Sequence, residues 1–119
     1  MTEPTVWFNP SCSKCRTAQS ILAERGIDAD YVRYLDQAPS VDELRRVLAL
    51  VGSDDPKSIA RTGEQRWREL DLDGASADRI LEAMHENPIL IERPIVIVGE
   101  RAVVARPPER LLEILEDPT

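Results

Sequence analysis

The chain's two cysteines, Cys12 and Cys15, sit where a β-prone run gives way to a helical one. Thr5-Val6-Trp7-Phe8 is apolar and β-prone, and Asn9-Pro10-Ser11 ends it. Ala18, Ile21, Leu22 and Ala23 then recur at helical spacing and Gly26 follows, which predicts a helix from about Ser13 to Arg25 with a glycine cap. Tyr31 to Leu35 reads as a second strand, so the first third of the chain forms a compact βαβ unit. A C-x-x-C pair at the strand-to-helix turn of such a unit leaves few possible folds and few chemistries.

At that turn the free N–H groups of the helix point toward Cys12, and the helix dipole adds partial positive charge. Both favour thiolate over thiol and make Cys12 the candidate nucleophile. Lys14 and Arg16 add positive charge nearby. Cys15 lies about one helical turn further on, where a resolving thiol must be to attack a species bound to Cys12. The same spacing also suits half of a metal site. Zinc needs about four ligands, however, and the other soft ligand in the chain is His85, far along the sequence, so no metal is expected. The free-thiol pattern and an N-terminus without a basic region or apolar run predict a cytoplasmic protein. Pro94 to Val98, the longest apolar stretch, is too short to span a bilayer. A net charge of -7 argues against a broad nucleic-acid-binding surface, and any anion site must be local and rich in arginine.

The middle of the chain is helical. Ser40-Val41-Asp42-Glu43 is a capping box, and Val41, Leu44, Val47, Leu48 and Val51 follow at helical spacing up to Gly52. Pro56 can start a short helix through Ile59 to Arg61, and Glu64 to Leu70 forms another short piece. Ser76 caps a helix carrying Ile80, Leu81 and Met84 that ends before Pro88. Strands return at Ile95–Val98 and Ala102–Ala105, joined by the Gly99-Glu100 turn, and Pro107-Pro108 starts a last helix, Glu109 to Leu115. Trp7 and Trp67 read as packing residues and His85 as a solvated or capping residue. Asp54-Asp55 and the acidic run from Glu113 to Asp117 read as solvated surface. The chain, 1–119, is expected to be one domain with a helical insertion at about 40–87. Without that insertion the order is β-α-β, then β-β-α, the layout of a thioredoxin core. The fold class is therefore α/β, a thioredoxin-like mixed four-stranded sheet with a helical section inserted between strands 2 and 3.

Asn9-Pro10-Ser11-Cys12-Ser13-Lys14-Cys15-Arg16 resembles the active-site loop of the ArsC-type, glutaredoxin-linked arsenate reductases. Asn87 to Val96 resembles the second motif of that family, and Arg106-Pro107-Pro108-Glu109 the third. The resemblance implies a nucleophilic cysteine at Cys12. It also implies three arginines that hold the oxyanion, at Arg61, Arg93 and Arg106, and a cis peptide bond before Pro94. Asn9, Ser13 and Arg16 are expected to shape the loop and support the thiolate, Ser13 by a hydrogen bond and Arg16 by tuning Cys12 or pairing with a carboxylate. Well-studied members carry a histidine just before the Asn-Pro pair, where this chain has Phe8, and they often lack the second cysteine that Cys15 supplies.

The implied reaction is reduction of arsenate, or a similar oxyanion, to arsenite. Cys12 attacks arsenic, and a second thiol, typically glutathione followed by glutaredoxin, completes the reduction. No bound cofactor, nucleic acid or membrane is expected, and a monomer is expected. Cys15 can alternatively close a Cys12–Cys15 disulfide. Two other functions fit the same loop: an Spx-like redox-sensing regulator that binds RNA polymerase, and a general thiol–disulfide oxidoreductase. The third arginine motif, Arg106-Pro107-Pro108-Glu109, favours the reductase.

Overall fold

Short strands tied by tight, capped turns set the frame, as seen in a computed structural model that describes residues 3–115. The acidic residues Glu116 and Asp117 lie outside the described residues. The elements run β1 (Thr5–Trp7), α1 (Ser13–Glu24), β2 (Asp30–Val32), α2 (Val41–Val51), α3 (Gln65–Glu69) and α4 (Ala77–Glu86). β3 (Ile95–Val98), β4 (Arg101–Val104) and α5 (Leu112–Leu115) follow. Contacts divide the chain into two compact units, residues 3–34 with 93–115, and residues 35–92.

The first unit holds a four-stranded sheet in the order β2-β1-β3-β4. β1 pairs with β2 in parallel and with β3 antiparallel, and β3 and β4 form an antiparallel hairpin. This is the mixed α/β layout expected from the element order, with the helical section between strands 2 and 3. The register sets Tyr31, Val6, Val96 and Val103 in one row across the sheet. Successive side chains alternate faces along a strand, so this row lies on one face. It packs with Ala18 and Leu22 of α1 and with Leu111 and Ile114 near the C-terminus. A fully buried leucine such as Leu22 contributes about 1.5–3 kcal/mol relative to an exposed one. α1 ends at Arg25, and Gly26 follows at φ 68, the left-handed conformation that favours glycine.

β2 is shorter than Tyr31–Leu35. The Phe8 N–H still reaches the Val32 carbonyl at 2.8 Å, but the neighbouring chain then turns at Asn9-Pro10. Pro10 has no N–H to offer a ladder, so pairing stops there. Tyr34 is buried (1% exposed) while Leu35 is 44% exposed. The last helix also begins differently. Pro108–Leu111 is a 3₁₀ turn, and only Leu112–Leu115 is α-helical.

In the second unit, the capping box forms as the sequence predicts. The Glu43 N–H donates to Ser40 Oγ and the Ser40 N–H to Glu43 Oε1, each at 3.1 Å. Gly52 closes α2 at φ 90, and Ser76 Oγ accepts the Arg79 N–H at the start of α4. α2, α4 and the 3₁₀ turn Pro56–Ile59 pack together, with Leu44, Val47, Ile59, Ile80, Leu81 and Met84 buried. Trp67 is buried, and its Nε1–H donates to Asp73 Oδ1 at 2.9 Å. Exposed His85 is tied by Nδ1 to the Pro39 carbonyl at 2.8 Å, which requires the proton on Nδ1. Among the described residues, Ala60 and Ile91 form a β-bridge outside the named strands, and the Arg61 N–H donates to the Leu90 carbonyl at 2.7 Å.

Candidate active site

The loop after β1 is closed by its own polar groups. Asn9 Oδ1 accepts the Ser11 N–H at 3.0 Å, an Asx turn, and the Asn9 carbonyl accepts the Cys12 N–H at 3.0 Å. Arg16 reaches back from α1, and its Nη1 donates to the Pro10 carbonyl at 3.1 Å. Arg16 therefore braces the loop through a backbone carbonyl rather than a carboxylate. Ser13 is exposed, and among the described residues its hydroxyl makes no hydrogen bond, so the expected bond to Cys12 is absent. The sequence could not distinguish these outcomes, because Arg16 and Ser13 each had several partners within reach.

Cys12 is the N-cap residue of α1, in extended conformation. Burial works against its ionisation. That cost is outweighed by the backbone N–H of Cys15, the Cys15 side chain, the backbone N–H of Lys14 and the charge of Arg93. Its thiol is therefore held below the ordinary value. None of these donors reaches the geometry of a full capping hydrogen bond, so their pull on Sγ is chiefly electrostatic. Cys15 moves the other way, up to about 11. Burial is the main cause, and the negative charge of Cys12 and the hydrogen bond to it add to the rise. The Asn9 N–H, which donates to Cys15 Sγ at 3.5 Å, and the charge of Arg93 pull in the opposite direction. Cys12 is 9% exposed and Cys15 is 0% exposed. Both thiols are reduced. The pair thus consists of one thiol biased toward ionisation at the helix start and a second, fully buried thiol biased against it.

Arg93 and Arg106 stand at the two ends of the β3–β4 hairpin. The Arg93–Pro94 bond is cis, as the resemblance implies, and so is Arg106–Pro107, which no sequence signal indicated. Arg106 Nη1 donates to the Arg93 carbonyl at 2.9 Å, which straps the hairpin ends together. Arg93 Nε is buried without a hydrogen-bond partner. A buried donor left unpaired costs about 1–3 kcal/mol, and such a group is a ready contact for an acceptor such as an oxyanion. Arg61 lies in the other unit. Its Nη2 pairs with Glu64 Oε2 at 3.1 Å, both side chains half-buried, beside an open cavity of about 370 Å³ that Glu92 also lines. Phe8, where well-studied ArsC-type members carry histidine, is buried edge-on against Tyr31 with ring centres 5.2 Å apart. It supplies packing and no proton.

Among the described residues no group of three or more His, Cys, Asp or Glu is placed to hold a metal ion, and no helix is long and apolar enough to cross a membrane.

Known proteins are similar to this chain in sequence and fold. A profile of the ArsC family matches residues 7–114. The arsenate reductase of Neisseria meningitidis is 38% identical over 117 residues, 97% of this chain and all of that protein. That of Haemophilus influenzae is 39% identical over 112 residues, 92% of this chain and 97% of its own length. The solved structure of an arsenate reductase from Vibrio cholerae is 38% identical, with a TM-score of 0.92 over 95% of this chain and 98% of that one.

Proposed function

The chain belongs to the ArsC family, and on that premise we propose that it is an arsenate reductase in which Cys12 attacks the oxyanion and an external thiol supplies the reducing equivalents. The observation that carries this reading is the charge arrangement at α1: a thiol held toward thiolate with the Arg93 guanidinium acting on it. Arsenate is an anion at neutral pH, so a thiolate approaching it meets like-charge repulsion. Arginine offsets that repulsion because it stays charged and offers a planar fork of donors. The unpartnered Arg93 Nε is one such donor, and the N-terminus of α1 supplies backbone N–H groups. In this reading Arg61 and Arg106 complete the set that holds the oxyanion. Asn9, Arg16 and cis Pro94 hold the loop and hairpin in place for Cys12. Glutathione with glutaredoxin, or an equivalent thiol protein, restores the enzyme.

The test is arsenate-dependent consumption of a thiol reductant, with arsenite as the measured product. Wild type should turn over and Cys12→Ser should lose essentially all activity. The rate should rise with pH as Cys12 ionises and then level off, with a midpoint below that of an ordinary cysteine. Disulfide reduction without any arsenite would instead mark a general thiol–disulfide oxidoreductase. No turnover with any thiol, together with retention of RNA polymerase on the immobilised protein, would mark an Spx-like regulator.

A further inference from the structure

Cys15 is completely buried, and glutathione or a partner's cysteine cannot reach it from solvent. Cys12 is its route to chemistry: the two stand three residues apart, Cys12 as the N-cap of α1 and Cys15 on the first turn. The Asn9 N–H also donates to Cys15 Sγ, so the sulfur is held in place from the loop side. We propose that Cys15 is a second catalytic thiol, held unreactive while Cys12 carries its charge and released when Cys12 forms a covalent bond. This deepens the arsenate reductase reading and rests on it for the substrate.

The gating follows from which groups act on Cys15. While Cys12 is a thiolate, its charge opposes a second anion beside it, and its sulfur accepts the Cys15 S–H. Once Cys12 is bonded to arsenic or to another sulfur, both effects vanish. Burial, the largest cause, still opposes ionisation, but the Asn9 N–H and the Arg93 charge now act in favour of the Cys15 thiolate without opposition from Cys12. In the first step the Cys12 thiolate forms an S–As bond and an As–O bond breaks. The departing oxygen leaves as water, and the Cys15 proton is accounted for in that water. In the second step Cys15 Sγ attacks Cys12 Sγ. The S–S bond forms, the S–As bond breaks, and its electron pair stays on arsenic, which goes from As(V) to As(III). Arsenic acid and two thiols thus give arsenous acid, a disulfide and water. Because the oxidised product is an internal disulfide, the natural reductant is a dithiol protein, which reopens it through a mixed disulfide on the more accessible Cys12.

Two measurements on the intact chain decide this. Reduced, desalted wild type given arsenate and no other thiol should form about one arsenite per chain and lose two hydrogens in mass, with Cys12 and Cys15 found joined by peptide mapping. Cys15→Ser and Cys15→Ala should form less than roughly a tenth of that arsenite, yet make arsenite once glutathione and glutaredoxin are added. The second measurement avoids arsenate. Oxidised glutathione should convert wild type to the internal disulfide, whereas both Cys15 variants should accumulate a lasting glutathione adduct on Cys12. A lasting adduct on wild type would overturn the proposal, as would thiol-free arsenite yields that the Cys15 variants match. The internal disulfide without arsenite under any condition would support the second thiol and reject the arsenate reading.

Discussion

In the proposed reductase Arg93 and Arg61 have the same task, and their surroundings are opposite. In the sheet unit, Arg93 has its carbonyl held by Arg106 and its Nε buried without a partner, and its charge acts on both cysteines. In the helical unit, Arg61 already has an anion: Glu64, three residues on, pairs with its Nη2 at 3.1 Å. Glu64 is also the N-cap residue of α3 but makes no capping hydrogen bond with its side chain, which turns to Arg61 instead. One arginine is therefore prepared in advance, with little left to rearrange when an oxyanion arrives. The other is already paired with an internal carboxylate, which any incoming anion would have to displace. A preorganised donor adds its full electrostatic effect at the transition state, whereas a donor that must first break an ion pair gives part of that effect back.

The comparison can be broken by substitution, and the largest effect should come from Arg93. Arg93→Ala should lower arsenate kcat/KM by roughly 10²–10³-fold, the usual loss for one preorganised oxyanion donor. Arg61→Ala should cost less, roughly tenfold and mainly in KM, since a charged hydrogen bond is lost but so is the need to break an existing pair. If Arg61→Ala proves as damaging as Arg93→Ala, the two arginines are not distinguished as described. The smallest effect should come from Glu64→Gln, which frees Arg61 and should lower KM by roughly two- to fivefold, with the gain shrinking as salt is added. A raised KM in Glu64→Gln would mean that the carboxylate aims Arg61 rather than competing for it. Glu64→Asp is a useful companion, because Asp is a favoured N-cap and its shorter side chain reaches less far toward Arg61.

What could be read in advance divides along the same physical line. The capping box at Ser40 and Glu43, the Gly52 and Gly26 caps and the βαβ start are local signals, complete within a few residues, and each appears where the sequence places it. The fold class followed from counting elements around the helical section, whereas the strand order came from the structure. The cysteine pair was legible as a candidate for the same reason, since C-x-x-C on a strand-to-helix turn is a local pattern. Contacts chosen among distant alternatives were not legible. Arg16 took the Pro10 carbonyl rather than a carboxylate, Arg106 took the Arg93 carbonyl thirteen residues back, and β2 stopped early because its neighbour turned at a proline. The cis bond before Pro107 belongs to this group too, because tertiary context selects the isomer of an X-Pro bond. Glu64 on Arg61 was overlooked, although the spacing of three residues is the signal that would have found it.

The position of Cys12 at the start of α1 has a consequence for how firmly the protein holds together. Serine, threonine, asparagine and aspartate are the residues that stabilise a helix start, and sulfur is a poor acceptor in their place. α1 accordingly begins without a side-chain cap, although serines stand on both sides of Cys12. Cys12→Ser should supply the missing acceptor and, at a pH low enough to keep Cys12 protonated, add about 0.5–1 kcal/mol to stability, seen as a higher melting temperature. With Cys12 protonated, the natural sequence is then less stable than a chain differing by one atom, as expected where a helix start is given over to a reactive thiol instead of a cap.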